Sequence, residues 1–383
     1  MTVIINFFKS ILSSLSYIIP ISKEILVFSS FPDYSDNAYA FYKYLYKTER
    51  NRPYVFIWLL TDKSTFTVKE DKIIKENPEA KVFYRFSIKG FWYFFRAKYI
   101  FCTHGINSFI SLKQDNKIVN LWHGIPLKRV GSLDPKNNGF NPAKADYLIA
   151  NSILTQEIMS NCFNNFNKKK IFITGQPRND LLFEETNFYK INNIQRTLFR
   201  KIGIWLPTFR ASNMSKNQVD GLYEVGKISF LGLNELAVLN KALKKNNDLL
   251  IIKLHPMDVL QKHSFTEFSN LIIIKEKNFT CQLYPLLGST DYLLTDYSSV
   301  FIDYEISGKP IGFVFNDFEE FKSSRGFTIE NLDKKLPGPI IQNINDLIYF
   351  INNFESIKVN ESKLFNLYKD GNASKRISNL LNL

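Results

Sequence analysis

The chain has 383 residues, 45% of them hydrophobic and 15% aromatic, with a mean hydropathy of -0.15; this excludes a polytopic membrane protein and is more chain than one compact core usually holds, so two domains are expected. Forty-nine Lys and Arg against 36 Asp and Glu give a formal net charge of +13, which suits an anionic partner such as a membrane surface, nucleic acid or a phosphate-rich substrate, with a lysine-rich solvated surface as the competing account. Cys102, Cys162 and Cys281 lack metal-ligand spacing and cannot all pair, so they read as ordinary buried thiols of a reducing cytosol.

The first element is the apolar run Ile4 to Pro20. It is too short and too interrupted for a transmembrane helix, and no small-residue cleavage site follows it. Wound as a helix, Ile4, Phe7, Phe8, Ile11, Leu12, Leu15 and Ile18 or Ile19 share one face, with Lys9, Ser13 and Ser16 off it. Two readings stay open for residues 1–22: a helix lying in a membrane interface, or one packed on its own domain. Strand-like runs then recur at Ile25–Ser29, Tyr54–Leu60, Lys81–Tyr84, Tyr99–Cys102, Ile118–Trp122, Tyr147–Ala150 and Ile171–Thr174. The polar stretch Glu184 to Arg196 reads as a linker or connecting helix. The alternation resumes at Ile202–Leu206, Leu249–Leu254, Leu271–Ile274, Tyr292–Leu294 and Ile311–Phe315, and Ile344–Phe354 and Lys363–Leu381 look helical. Short apolar strands alternating with helices predict parallel sheets covered on both faces. The expected architecture is α/β, with Rossmann-like domains at 23–187 and 188–383 facing each other across a cleft.

In such sheets ligands bind beyond the carboxyl ends of the strands, and the polar motifs fall there. The run at Tyr99 ends in Thr103-His104-Gly105, and that at Ile118 ends in His123-Gly124-Ile125-Pro126. The run at Ile171 leads to Gly175-Gln176-Pro177-Arg178, that at Ile202 to Pro207-Thr208-Phe209-Arg210, and that at Leu249 to His255-Pro256 with Lys253 just before. Three of the four histidines therefore sit at strand ends, where an imidazole titrating near neutrality can take a proton from a hydroxyl. Arg178, Arg210, Lys253 and Arg325 are candidate phosphate clamps. The segment LLTDYSSVFID from Leu293 joins a strand to a helix through Thr295, Asp296, Ser298 and Ser299. Hydroxyls and free N–H groups at a helix start suit an anion; a capped helix without a ligand is the plainer reading.

At these motifs the chain resembles the CDP-glycerol glycerophosphotransferase family, the primases and polymerases of teichoic acid and related capsule polymers. The matching segments are FSSFPDYSDNAYAFYKYL from Phe28, NLWHGIPLKRVG from Asn120, GQPRNDLLF from Gly175, LPTFR from Leu206, IIKLHP from Ile251, LLTDYSSVFIDYEISGKPIGF from Leu293, and the Asp317–Pro339 region. The resemblance implies a GT-B fold and attack of an acceptor hydroxyl on the glycerol-bearing phosphorus of CDP-glycerol, with CMP leaving. It implies His123 as catalytic base and His255 as the group that meets developing charge. It further implies a donor site from Gly124, Pro126, Arg178, Thr208, Arg210, Lys253, Thr295, Asp296, Ser298, Ser299 and Arg325. Asp296 is expected to hold His255 or a hydroxyl, Asp303 to support the helix start, and His104 to be structural. Ile125 stands where the family usually has threonine, which bears on the polyol accepted. No protein-bound metal is expected, with Mg²⁺ able to accompany the donor pyrophosphate. The implied partners are CDP-glycerol, a lipid-linked saccharide or polymer acceptor and an anionic membrane surface, at the cytoplasmic face of the membrane, without nucleic acid. The competing functions are a GT-B glycosyltransferase using a nucleotide-sugar, a CDP-ribitol ribitolphosphotransferase, a basic nucleic-acid-binding protein and an inactive membrane scaffold. The intact histidines and the lack of a nucleic-acid-binding signature weigh against the last two.

Overall fold

The computed structural model describes residues 2–49, 51–134, 144–210, 224–324, 326–359 and 362–383, and for residues 2–8 the backbone only. It forms two compact α/β units, each built on a sheet that is parallel throughout. The first comprises Met1–Ile125, Gly131–Asp180 and Asp370–Leu383, the second Pro126–Val130 and Leu181–Lys369. The linear boundary at 187/188 is thus replaced by an interleaved one. The chain enters the second unit for five residues at Pro126, and its last 14 residues belong to the first.

The first unit carries seven strands: β1 (Ser22–Ser29), β2 (Val55–Leu60), β3 (Lys81–Tyr84), β4 (Ala97–Cys102), β5 (Lys117–Asn120), β6 (Tyr147–Ala150) and β7 (Ile171–Ile173). Their order across the sheet is β3-β2-β1-β4-β5-β6-β7. Ile25 to Phe28 are buried without alternation, as expected for a central parallel strand with both faces covered. Phe28 meets Tyr42, Phe56, Trp58 and Phe101 at centroid distances of 5.2 to 6.2 Å, so one face of this sheet is locked by aromatic packing.

The second unit carries β8 (Ile202–Leu206), β9 (Leu249–Lys253), β10 (Leu271–Ile274), β11 (Tyr292–Thr295), β12 (Ile311–Val314) and β13 (Ile340–Ile341), in the order β10-β9-β8-β11-β12-β13. The two-residue β13 has too short an apolar run to register as a strand in sequence. Gly203 pairs with Tyr292 in the β8–β11 register, and a Cβ on it would stand 2.0 Å from the Tyr292 ring, so glycine is required for that close approach. In both sheets the winding reverses beside the first strand, between β1 and β4 and between β8 and β11, which opens a crevice at the carboxyl edge.

The N-terminal helix, Thr2–Ile18, packs on its own domain along one side and leaves an apolar stripe exposed on the other. Leu12 and Ile19 pack on the core of the first unit, and Ser16 is buried, its hydroxyl donating to the carbonyls of Ser13 and Ser111. Ser13 Oγ accepts the Ser111 N–H at 3.1 Å. The serines therefore face inward, opposite to the side the sequence pattern assigns them. Ile11, Leu15 and Ile18, spaced i, i+4, i+7, point outward at 39, 41 and 76% exposure. Among the described residues no helix is long and apolar enough to cross a membrane.

The C-terminal helix runs Ala373–Leu381, ten residues shorter at its start than the pattern suggests. Gly371 takes a left-handed φ of +63°, which breaks the helix before Ala373. Asp180 supplies the cap from a distance: its carboxylate accepts the N–H groups of Ala373 and Ser374, each at 2.8 Å. Asp180→Ala leaves two helix-start N–H groups without that acceptor and should lower unfolding stability by about 1–2 kcal/mol. Asp180→Asn, which keeps one acceptor oxygen, should recover part of the loss in denaturant titrations.

Candidate functional site

In the first unit the polar groups gather after β4, β5 and β7. The strand expected to reach Trp122 stops at Asn120, because the backbone turns sharply there: Trp122 has φ +50° and Gly124 φ +124°. Asn37, at the start of the helix Asp36–Thr48, holds this turn. Its fully buried Nδ2 donates to the carbonyls of Leu121 and Trp122 at 3.0 and 2.9 Å, and its Oδ1 accepts the Arg178 N–H. His123 emerges from the turn with its ring 4.1 Å from that of Trp122 and 4.1 Å from that of His104, the two imidazoles lying within 5° of parallel.

The tautomer of His123 follows from its partner. Nδ1 lies 3.0 Å from the carbonyl oxygen of Thr103, which can only accept, so Nδ1 carries the proton and the neutral ring presents an Nε2 lone pair. Burial pulls the His123 pKa below its ordinary value, with Arg178 adding to the fall while the Thr103 bond and Asp36 oppose it. The product is a neutral base. Arg178, expected as a donor clamp, lies in this unit and is committed to Asp36, its Nη1 being 3.1 Å from both carboxylate oxygens.

In the second unit the crevice between β8 and β11 is bound together by Asp296. Its carboxylate accepts the Thr208 N–H at 2.9 and 3.0 Å, the Thr208 hydroxyl, and Arg210 Nη1 at 3.1 Å. Arg210 Nε and Nη2 bond Asp317 at 2.7 and 3.0 Å, Tyr297 donates to Asp317 at 2.8 Å, and the guanidinium lies 4.9 Å from the Tyr297 ring centre. Burial would pull the Arg210 pKa down, but Asp296 and Asp317 carry it above the ordinary range. Arg210 is thus a buried tie between strand ends, where the sequence reading makes it a phosphate clamp. The Thr208 hydroxyl faces Asp296, and the Thr295 hydroxyl donates to the Leu206 carbonyl at 3.2 Å. Of the two partners expected for Asp296, the structure shows the hydroxyl, that of Thr208, and not His255.

The expected groups that remain are His255, Ser298 and Ser299, together with Lys253, which is itself buried and paired. His255 Nδ1 accepts the Met257 N–H at 3.1 Å, so the proton of the neutral ring sits on Nε2, the reverse of His123. Its ring leans on Phe209 at 4.8 Å, and burial, then the charges of Lys128 and Lys253, hold its pKa down at about 4. Lys253 Nζ is 2.7 Å from the half-exposed Glu276 carboxylate. Ser298 and Ser299 are partly exposed at the head of the short helix Val300–Tyr304, and Ser299 caps it by position without a side-chain bond. Asp303 accepts the Tyr284 hydroxyl at 2.8 Å. The Pro126 carbonyl accepts the Thr328 hydroxyl within this unit. Arg325 lies outside the described residues. Among the described residues no three His, Cys, Asp or Glu side chains gather as a metal centre. Asn37, Asp36 and Asp317 are parts of the site that sequence reasoning missed. All three lie inside quoted motifs, but a sequence does not show which arginine or turn a given acid or amide faces.

The family model for CDP-glycerol:poly(glycerophosphate) glycerophosphotransferases matches residues 11–383. The chain belongs to that family. A teichoic acid poly(glycerol phosphate) polymerase of Bacillus spizizenii is 28% identical over 94% of this chain and 92% of its own length. The teichoic acid ribitol-phosphate polymerase TarL of Staphylococcus aureus is 27% identical over 74% of this chain and 51% of its own length. A solved structure of a histidine variant of the wall teichoic acid polymerase TagF, soaked with CDPG, aligns at a TM-score of 0.76 and 24% identity, covering 98% of this chain and 93% of that one. At that identity the likeness speaks for the fold, and it agrees with the GT-B expectation of two parallel-sheet domains.

The lowered histidine pKa values have a consequence for stability in a glycerophosphotransferase of this build. In the unfolded chain His104 and His255 take up protons near pH 6.5; folded, each resists until about pH 4. The unfolded state therefore binds more protons in between, and stability should fall as pH drops from about 6.5 towards about 4. Denaturant titrations at stepped pH should show this slope, and His255→Asn should flatten part of it.

Proposed function

We propose that the enzyme transfers glycerol phosphate from CDP-glycerol to a hydroxyl of a lipid-linked saccharide or growing poly(glycerol phosphate) chain. The acceptor oxygen bonds to the glycerol-bearing phosphorus, the bond from that phosphorus to the bridging oxygen breaks, and CMP departs with the bond's electrons. The acceptor proton passes to Nε2 of His123. The charge growing on the departing CMP is met by the Nε2–H of His255, by Lys253 and Lys128, and by the hydroxyls of Ser298 and Ser299, with any Mg²⁺ arriving on the donor's pyrophosphate. Phosphoryl transfer asks for this kind of positioning and charge stabilisation more than for covalent chemistry.

The observation that carries this reading is that the two histidines hold opposite tautomers. A carbonyl on Nδ1 makes His123 an acceptor at Nε2, and an N–H on Nδ1 makes His255 a donor at Nε2. His123→Ala should leave CDP-glycerol binding within about twofold by calorimetry and lower transfer about 100- to 10,000-fold. Near-native turnover would remove the base assignment. Supplying CDP-glycerol, CDP-ribitol and UDP-sugars in parallel, and sizing the product, decides the donor class. CMP release with CDP-glycerol is the expected result.

The outward stripe Ile11, Leu15 and Ile18 on a chain of net charge +13 supports a peripheral position on an anionic membrane, where the lipid-linked acceptor resides. Replacing all three by Ser spares the inward Leu12, Ser16 and Ile19. It should reduce co-sedimentation with phosphatidylglycerol vesicles while leaving the thermal midpoint in place. Unchanged vesicle binding would rule this surface out.

A further inference from the structure

A cavity in the first unit adjoins the residues assigned above. It measures about 250 Å³ and opens at the carboxyl edge of the sheet, lined by Ser30, Phe31, Thr61, Arg85, His104 and Gly105 among others. It occupies the crevice between the ends of β1 and β4, where this sheet reverses its winding and open α/β sheets take their ligands. Its size suits a small polar group, being below the range of drug-sized pockets.

The charge of the cavity is that of one cation. Arg85 follows β3 directly, and its N–H donates to the Leu60 carbonyl, which fixes its position. Its Nε donates to the neutral Asn107 Oδ1 at 2.9 Å, and among the described residues no carboxylate lies within ion-pairing distance of its guanidinium. Burial disfavours that charge and pulls the pKa of Arg85 down, with Asp33 opposing part of the fall, and the guanidinium lies 5.0 Å from the Phe86 ring centre. The nearest acid of this edge, Asp33, is already met by the N–H groups of Thr61 and Asp62 at 2.8 to 3.0 Å. His104 is neutral at pH 7, its pKa being held down at about 4 by burial and by His123. A partly desolvated guanidinium with terminal N–H groups to offer calls for one anion, and its planar fork fits two oxygens of a phosphate.

The location ties the cavity to the reaction. His104 forms part of the wall and stacks face to face on His123 at 4.1 Å, while Phe31 meets His104 edge-on at 5.5 Å. A ligand in the cavity therefore lies one ring away from the candidate base. We infer that this cavity is an acceptor subsite in which Arg85 binds the phosphodiester behind the attacking hydroxyl of an acceptor already ending in a polyol phosphate. A phosphodiester carries one negative charge, equal and opposite to the single cation present. The inference rests on the glycerophosphotransferase reading and deepens it: the enzyme extends a primed acceptor in preference to starting on an uncharged saccharide.

The test compares Arg85→Gln and Arg85→Lys with the parent enzyme on two synthetic acceptors, a lipid-linked disaccharide bearing one glycerol phosphate and the same molecule without it. CDP-glycerol affinity is measured separately by calorimetry, and thermal midpoints report folding. The expected result for Arg85→Gln is a KM for the primed acceptor raised about tenfold or more, with the unprimed KM and the donor Kd unchanged. Arg85→Lys should recover part of the loss. Free glycerophosphoglycerol should compete with the primed acceptor on the parent enzyme and lose that competition in Arg85→Gln, a readout available even where turnover is low. Equal losses on both acceptors, or a weakened donor Kd, would overturn the assignment, the latter by giving the anion to the donor. Absence of CMP release by the parent enzyme would instead remove the glycerophosphotransferase reading itself, so the two failures are distinguishable.

Discussion

A parallel sheet buried on both faces leaves its strands one place to put polar chemistry: the loops at their carboxyl ends. Ile25–Phe28 in β1 and Leu249–Ile252 in β9 are apolar without interruption because helices cover both faces. Polar residues are thereby excluded from the body of each sheet and collect at one edge. The reversal of winding beside β1 and β8 parts the loops at that edge. His104, His123, Thr208, Lys253, His255 and Asp296 each stand within three positions of a strand end.

Within that frame the backbone determines what each imidazole can do. The same side chain becomes an acceptor at Nε2 where its Nδ1 meets the Thr103 carbonyl, and a donor at Nε2 where its Nδ1 meets the Met257 N–H. Burial keeps both rings neutral, so the contrast is one of hydrogen position and does not need a charge on either. The supports are equally local. Asn37 holds the turn before His123 in its left-handed geometry, and Asp296 with Asp317 ties down the loop that carries Thr208 and Arg210.

The strand pattern was largely legible in sequence because fully buried strands are unbroken apolar runs, and the histidines were legible because imidazole is rare in this chain and falls at strand ends. The tasks of Arg178 and Arg210 were not. A guanidinium reads as a phosphate ligand until the acid facing it is known, and Asp36 and Asp317 lie 142 and 107 residues away in sequence. The inward turn of Ser13 and Ser16 escaped for a related reason: a hydropathy pattern scores serine as solvent-facing, whereas here each finds a hydrogen-bond partner at Ser111. Nor does a linear reading show that Asp180 caps a helix beginning at Ala373.

The Lys253–Glu276 pair bears on turnover. With a carboxylate 2.7 Å from its ammonium, Lys253 in the proposed donor site would meet an incoming phosphate by exchanging one anion for another. The gain on binding is then a difference between two ion pairs, and Glu276, half exposed, can be released to water at small cost. The same exchange runs in reverse when CMP leaves, since the carboxylate is at hand to take back the cation. In the proposed reaction, a resident counter-ion of this kind would limit how tightly a nucleotide product holds the enzyme and so favour its release.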